Sequence, residues 1–157
     1  MTPVLNQPAP EFSLYNTDKK QINLSDLRGK NVLLLFVPFA FTGVCTKELC
    51  TVRDDIAYYD NMNAVAFGIS VDTPYALAKW KEEQKLNMDL LSDFNKEAMQ
   101  AYGTMYETFG AMGFKGVAKR SAFIIDKEGM LRYAEVLENA GDVPDFDKIK
   151  ACLESLN

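Results

Sequence analysis

The 157-residue chain contains no histidine and only three cysteines, Cys45, Cys50 and Cys152. Without an imidazole, the chain cannot use the histidine base that activates most hydrolytic serines and cysteines. A structural zinc site needs four ligands, usually paired cysteines or histidines, and three cysteines with one far away do not supply them. We therefore expect no metal and no bound cofactor, and any thiol chemistry must proceed without histidine.

Long apolar runs are also missing. The most apolar stretch, residues 32–41, is about ten residues long and contains Pro38, whereas a membrane-spanning helix needs about 20. The first ten residues lack the basic start and apolar segment of a secretory signal. We expect a cytoplasmic protein without a membrane span, in which thiols are kept reduced and only transient disulfides form.

Basic residues are too few for binding to nucleic acid. The net charge is −5 and the sequence pI is about 4.8, and the one basic cluster consists of Lys115, Lys119 and Arg120. Non-specific binding depends on neutralising many phosphates at once, so no nucleic-acid partner is expected. The length and the 48% hydrophobic content predict one domain over residues 1–157, with a core that needs no covalent reinforcement.

A strand–helix–strand unit is predicted near the middle of the chain. Val32–Val37 and Ala64–Val71 are continuous apolar runs, typical of strands buried on both faces. Apolar residues recur at helical spacing between them, from Gly43 to about Asp60. Two strands joined by a helix should be parallel.

The remaining segments complete an α/β domain with a mixed sheet. Short strands flank a turn at residues 16–20, and a second hairpin has its turn at residues 126–129. Helices are predicted from Pro74 to about Leu86, over residues 96–102 and over residues 145–156, with a short strand near Leu90. Residues 103–120 contain four glycines and no periodicity, which indicates a long functional or mobile loop that leads to Arg120.

Cys45 follows the first buried strand and lies in the first turn of the predicted helix. Unpaired backbone donors and the helix dipole favour an anion at this position. A thiolate is the nucleophilic form of cysteine, so the helix can supply what a histidine base supplies elsewhere. Thr42 can place a hydroxyl beside the sulfur, and Pro38 can stiffen and shield the approach.

The pattern Pro38-x-x-x-Thr42-x-x-Cys45 resembles the active-site signature of the peroxiredoxins. The resemblance extends from "APEFSL" to "FIIDKEG" and implies a thioredoxin-like fold with a central mixed sheet. In that family an arginine at the start of a later strand completes the site, a position that Arg120 matches. Glu48, three residues after Cys45, matches the glutamate that often holds this arginine.

The resemblance implies a peroxidase that reduces hydrogen peroxide and organic hydroperoxides. The Cys45 thiolate would be oxidised to a sulfenic acid, a second thiol would form a disulfide with it, and thioredoxin or a similar dithiol would reduce that disulfide. Members of the family occur as monomers and homodimers, and either state is open here.

The sequence offers more than one resolving thiol. Cys50, five residues after Cys45, resembles the second cysteine of the bacterioferritin comigratory protein, or Q-type, members. The segment "PFAFTGVC" followed by Glu-Leu also resembles the alkyl hydroperoxide reductase E type, which commonly has one active cysteine. Cys152 does not match the C-terminal context of the typical two-cysteine enzymes, and it is predicted to be a helix residue near the core. Cys50, Cys152 and an external thiol therefore remain as alternatives.

Other interpretations of these residues are possible without the signature. Cys45 alone could be an inert buried thiol, Thr42 a helix cap and Pro38 the end of a strand. Arg120 and Glu48 could be solvated charges. A thioredoxin-like dithiol exchanger, or a redox-inactive binding module on the same fold, is the rival function, although an exchanger usually has two intervening residues between its cysteines and this chain has four.

Aromatic side chains near the signature have a simpler interpretation. Trp80, Phe39 and Phe41 are expected to pack in the core or at an interface rather than to contact a ligand.

Overall fold

The computed structural model describes residues 3–157 and contains seven strands and five α-helices within them. The strands are β1 Ser13–Asn16, β2 Gln21–Asn23, β3 Asn31–Phe36, β4 Ala64–Ser70, β5 Asp89–Ser92, β6 Ser121–Ile125 and β7 Leu131–Val136. The helices are α1 Gly43–Asp54, α2 Ile56–Asn61, α3 Pro74–Gln84, α4 Glu97–Ala101 and α5 Phe146–Ser155. Within residues 3–157 no helix combines the length and the apolar composition that a bilayer crossing needs.

The seven strands form one mixed sheet in the order β2-β1-β5-β4-β3-β6-β7. β3 and β4 are parallel, as the strand–helix–strand pattern predicted, and β4 and β5 are also parallel. β3 pairs with β6 in antiparallel register, with Phe36 opposite Ser121. This register places the end of β3 beside the start of β6, which is how the sheet brings distant parts of the sequence to one site.

Both faces of the sheet are covered by apolar side chains. Every residue of β3 is buried, which accounts for the continuous apolar run that starts at Val32. Leu33 and Leu35 face a core that also contains Cys45, Leu49 and Trp80. The alternate residues of the strand face a second core on the opposite side. α1 therefore packs its apolar side against the centre of the sheet.

The helix predicted from Gly43 to about Asp60 is in fact two helices, α1 and α2. Asp55 separates them with φ −118° and ψ 22°, and its backbone N–H donates to the carbonyl of Val52 at 3.1 Å. The tight turn preserves the apolar spacing, because Val52 and Tyr59 are both buried in the same core. Because the apolar spacing continues across Asp55, the sequence pattern could not reveal that the helix ends there.

The predicted long loop over residues 103–120 folds back on itself. Isolated bridges join Met105 to Ala118 and Phe109 to Phe114. The ring of Phe39 packs edge-on against the rings of Phe109 and Phe114, with centroids 5.8 Å away in each case. The loop is thereby fixed against the segment that follows β3, and it ends where β6 begins.

Candidate active site

Cys45 is the third residue of α1 and is fully buried. Thr42 has an extended backbone and occupies the N-cap position, and its carbonyl accepts the helix hydrogen bond from the Thr46 N–H at 3.0 Å. Because the first backbone donors of a helix have no partner within it, the Cys45 sulfur lies where an anion is favoured.

Arg120 and Glu48 meet Cys45 in the interior of the protein. Arg120 Nη1 lies 3.2 Å from Cys45 Sγ and 3.3 Å from Glu48 Oε1. All three residues are buried, Arg120 being 2% exposed and Glu48 0%. Glu48 lies one helical turn after Cys45 on α1, and Arg120 precedes β6. The interpretation of the two charged residues as solvated side chains is therefore wrong.

The far side of the guanidinium is held by a backbone carbonyl that sequence reasoning did not identify. Arg120 Nε and Nη2 both donate to the carbonyl of Ala140, at 3.3 Å and 3.0 Å. A fork of this kind fixes the plane of the guanidinium and directs Nη1 at the sulfur. No sequence signal marks Ala140, because any residue with a backbone carbonyl can accept these bonds.

The carboxyl of Glu48, which contacts this arginine, is fully buried. Burial raises the pKa of Glu48 to about 8, although the adjacent Arg120 opposes the shift. Its Oε2 atom is buried without a hydrogen-bond partner among the described residues. An unpartnered carboxylate oxygen is costly in an apolar interior, so burial outweighs the attraction to Arg120 and favours the protonated carboxyl at neutral pH.

The segment 38–42 forms the loop between β3 and α1. Pro38 is buried, and Phe41 has a φ of +67°, which is uncommon for a residue with a large side chain. The Asp72 carboxylate, which the sequence did not indicate, accepts a 2.7 Å hydrogen bond from the Ala40 N–H and another from Ser70 Oγ. These bonds hold the loop in its strained conformation.

Thr42 is exposed, and its hydroxyl donates to the carbonyl of Phe39 at 3.2 Å. The side chain makes no capping hydrogen bond to α1. Thr42 thus has the predicted N-cap position, but its hydroxyl is directed into the loop and makes no hydrogen bond with the sulfur.

An apolar pocket of about 680 Å³ opens beside this loop. Its lining includes Phe41, Thr42, Phe109, Met112 and Phe114. Met112 is 78% exposed and Phe41 is 51% exposed, so apolar surface is accessible to solvent next to the signature. Two cations, Lys96 and Lys115, also line the pocket.

The two other cysteines occupy different positions. Cys50 is half-buried on α1, and its thiol contacts Gln84 Oε1 at 3.8 Å. Cys152 lies on α5 and packs against the same core as α1, in agreement with the prediction of a helix residue near the core. Burial raises the pKa of the Cys152 thiol, although Arg132 opposes the shift. All three thiols are free in this structure.

Of the three aromatic residues near the site, Trp80 packs in the core as predicted, whereas Phe39 and Phe41 line the apolar pocket. Trp80 is fully buried, and the ring of Phe41 lies 6.3 Å from it. Within the described part of the chain, no cluster of three or more cysteine or acidic side chains is placed to hold a metal ion.

Comparisons with known proteins agree with this geometry. Residues 5–134 match the model of the AhpC/TSA family. The chain is 37% identical over 140 residues to alkyl hydroperoxide reductase E of Mycobacterium tuberculosis, covering 87% of each protein. It is 35% identical over 126 residues to peroxiredoxin Bcp of Escherichia coli, covering 80% of each. The expected similarity to the E-type and Q-type members is therefore confirmed.

Solved structures confirm the thioredoxin-like fold. The crystal structure of peroxidoxin BcpB from Mycobacterium tuberculosis superposes with a TM-score of 0.84 at 28% identity, covering 98% of this chain and 97% of that one. A peroxiredoxin-like protein from Aquifex aeolicus gives a TM-score of 0.89 at 25% identity, covering 100% and 90%. These relatives do not favour dithiol exchange or a redox-inactive module. The chain belongs to the AhpC/TSA family of peroxiredoxins and is a thiol-dependent peroxidase.

Proposed function

We propose that Cys45 is the peroxidatic thiol and that Arg120, Glu48, Thr42 and Pro38 form its site. The contact of 3.2 Å between Arg120 Nη1 and Cys45 Sγ, buried at the start of α1, carries this proposal. A fixed cation and a helix N-terminus both stabilise a thiolate. The arrangement supplies, without histidine, the anion that attacks a peroxide.

In the first step, the Cys45 thiolate attacks the terminal oxygen of a hydroperoxide. An S–O bond forms and the O–O bond breaks heterolytically, so that sulfur loses two electrons and becomes a sulfenic acid. The leaving alkoxide, or hydroxide from hydrogen peroxide, takes a proton and departs as an alcohol or water. Arg120 and the amides at the start of α1 are fixed donors for the negative charge that moves onto the departing oxygen.

The proton on Glu48 has a role in this site. If Glu48 were ionised, it would compete with the Cys45 thiolate for the positive charge of Arg120. Because burial keeps its pKa near 8, the carboxyl remains largely neutral at pH 7, and Arg120 is left to stabilise the sulfur. Glu48 therefore holds the arginine without neutralising it.

The substrates that we propose are hydrogen peroxide and organic hydroperoxides. Thr42 belongs both to the signature and to the lining of the apolar pocket. An alkyl group can bury apolar surface there, which is the main source of affinity in such pockets, while a small peroxide does not need it.

Cys50 is the resolving thiol that the arrangement favours. It shares α1 with Cys45, whereas Cys152 lies on α5 and burial raises the pKa of its thiol. Residues five apart on an ideal helix have Cα atoms about 8.7 Å apart, and a disulfide tolerates at most about 7 Å. Local unwinding of α1 must therefore precede the bond, which forms with release of water.

The external reductant that we propose is thioredoxin or a similar dithiol, which would attack the disulfide and restore both thiols. We further propose that residues 1–157 act as one domain in the cytoplasm, as a monomer or homodimer.

The test of the peroxidatic role is Cys45→Ser, with Cys152→Ser as the matched control. A serine hydroxyl stays protonated at neutral pH, so Cys45→Ser should abolish peroxide consumption with excess dithiol and leave the far-ultraviolet circular dichroism unchanged. Cys152→Ser should keep the activity of the parent. Substantial turnover by Cys45→Ser would overturn the assignment.

The resolving step is tested by a non-reducing peptide map after one equivalent of peroxide. We expect an intramolecular Cys45–Cys50 disulfide in the parent, and sulfenic acid that overoxidises readily in Cys50→Ser. A Cys45–Cys152 bond, or persistent sulfenic acid in the parent, would show that the resolving thiol is Cys152 or external.

A further inference from the structure

α3 contacts α1 along the face that carries both Thr46 and Cys50. Trp80 Nε1 donates a 3.0 Å hydrogen bond to Thr46 Oγ1. One turn later on each helix, Gln84 Oε1 lies 3.8 Å from Cys50 Sγ. Polar contacts at matching four-residue intervals connect the two helices along the segment that separates the two thiols.

The contact between Trp80 and Thr46 lies at the end of α1 that the chemistry uses. Thr46 directly follows Cys45, and Trp80 is fully buried in the core that contains Cys45. If the first turn of α1 unwinds, Thr46 leaves Trp80 and the indole N–H remains buried without a partner. An unsatisfied buried donor is costly, so this hydrogen bond stabilises the wound helix specifically.

The same indole also contacts the loop before the helix. Its ring lies 6.3 Å from that of Phe41, a residue with positive φ. Trp80 therefore contacts the chain on both sides of the N-terminus of α1.

We propose that Trp80, acting through Thr46, is a positioning residue that keeps the first turn of α1 wound and so sets the competition between disulfide formation and overoxidation. This inference rests on the proposed resolving role of Cys50. In the wound helix, the Cys45 sulfenic acid can react with a second hydroperoxide to give a sulfinic acid and an alcohol. In the unwound segment it condenses with the Cys50 thiol, giving a disulfide and water.

The test is Thr46→Val, which keeps the shape of the side chain and removes the hydroxyl. The matched control is Thr51→Val, because Thr51 is an exposed threonine on the same helix whose hydroxyl donates only to the carbonyl of Lys47. A net hydrogen bond corresponds to about a threefold to tenfold change in an equilibrium. We expect amide exchange in residues 43–50 of Thr46→Val to be faster by that factor, with Thr51→Val close to the parent.

The functional readout is the peroxide concentration at which half of Cys45 becomes sulfinic acid, measured by mass spectrometry. This concentration should rise about threefold to tenfold in Thr46→Val, because disulfide formation becomes faster relative to the second oxidation. A merely structural role would lower thermal stability and leave this concentration unchanged, and that result would overturn the proposal.

Trp80→Phe provides a second, independent variant that keeps an aromatic ring and removes the N–H donor. Its effect on amide exchange should not add to that of Thr46→Val in the double variant, because both remove one hydrogen bond. Full additivity would overturn the proposal. If the parent forms no Cys45–Cys50 disulfide, the proposed resolving step fails, whereas the exchange measurements still decide whether Trp80 holds the helix wound.

Discussion

The guanidinium of Arg120 uses all three of its nitrogen atoms. Nε and Nη2 are held by the carbonyl of Ala140, and Nη1 faces both Cys45 Sγ and Glu48 Oε1. A lysine could supply the charge but not the fixed fork. The position and the direction of the positive charge are therefore separate contributions of this residue.

We expect Arg120→Ala to slow the first step with peroxide by about 10²–10³-fold, as the loss of a preorganised donor typically does. Arg120→Lys should lose less, because a cation remains. Rapid-mixing kinetics of sulfenic acid formation measure this step directly. Lys119→Ala is the control, since it removes an adjacent positive charge that is paired with Glu138 at 3.0 Å and does not contact Cys45. If Lys119→Ala slowed this step as much as Arg120→Ala, the rate would depend on the total positive charge near Cys45 and not on the direct contact of Arg120 with the sulfur.

At the scale of elements, α1 packs against the sheet at a glycine. Gly68 of β4 lies beneath it, and a Cβ there would be 2.8 Å from Leu90 Cδ2 and 2.9 Å from Leu49 Cδ1. Both distances are shorter than van der Waals contact, so the glycine permits Leu49, which lies between Glu48 and Cys50, to seat fully in the core. The distance at which α1 packs on the sheet therefore depends on the absence of a Cβ at Gly68.

Gly68→Ala should lower the free energy of unfolding by about 1–3 kcal/mol, the usual cost of adding a methyl group to a packed core. Urea denaturation measures the change. Gly43→Ala is a suitable control, because a Cβ at Gly43 meets nothing within 4 Å and its φ is not positive; we expect no loss of stability there. An unchanged Gly68→Ala would mean that the two leucine side chains move aside without cost.

Sequence patterns predicted the parallel pair β3 and β4, the two hairpins and the position of Cys45, because each depends on local periodicity or on turn residues. They also predicted the arrival of Arg120 at a strand start, through the resemblance to a family. They did not predict the Asp72 carboxylate on the Ala40 N–H, the carbonyl of Ala140 or the contact between Trp80 and Thr46. These interactions join distant segments through backbone groups or single side chains, which leave no periodic signal in the sequence.

At the scale of the whole molecule, the site exists only in the folded sheet. Its parts are the loop after β3, the start of α1, the residue before β6 and the loop at Ala140. The antiparallel register that sets Phe36 opposite Ser121 brings the first and third of these together. Closure of the core around them also buries the carboxyl of Glu48, and global stability is thereby linked to the protonation of this carboxyl.

The pH dependence of unfolding follows from that link. The pKa of Glu48 rises from 4.5 to about 8 on burial. Between these values the native protein retains a proton that the unfolded chain has lost, so unfolding releases a proton and stability falls as pH rises. The contribution of the neutral carboxyl is complete below about pH 4.5 and is lost as pH approaches 8.

Glu48→Gln tests this directly, because the amide has a similar shape and stays neutral at every pH. We expect the stability of Glu48→Gln relative to the parent to increase steadily from pH 5 to pH 8, measured by urea denaturation at several pH values. Glu107→Gln, a change at an exposed position, should show no such trend. If the parent instead gained stability over Glu48→Gln as pH rises, Glu48 would be ionised beside Arg120. The guanidinium would then be shared between two anions, and the Cys45 thiolate would depend mainly on the N-terminus of α1.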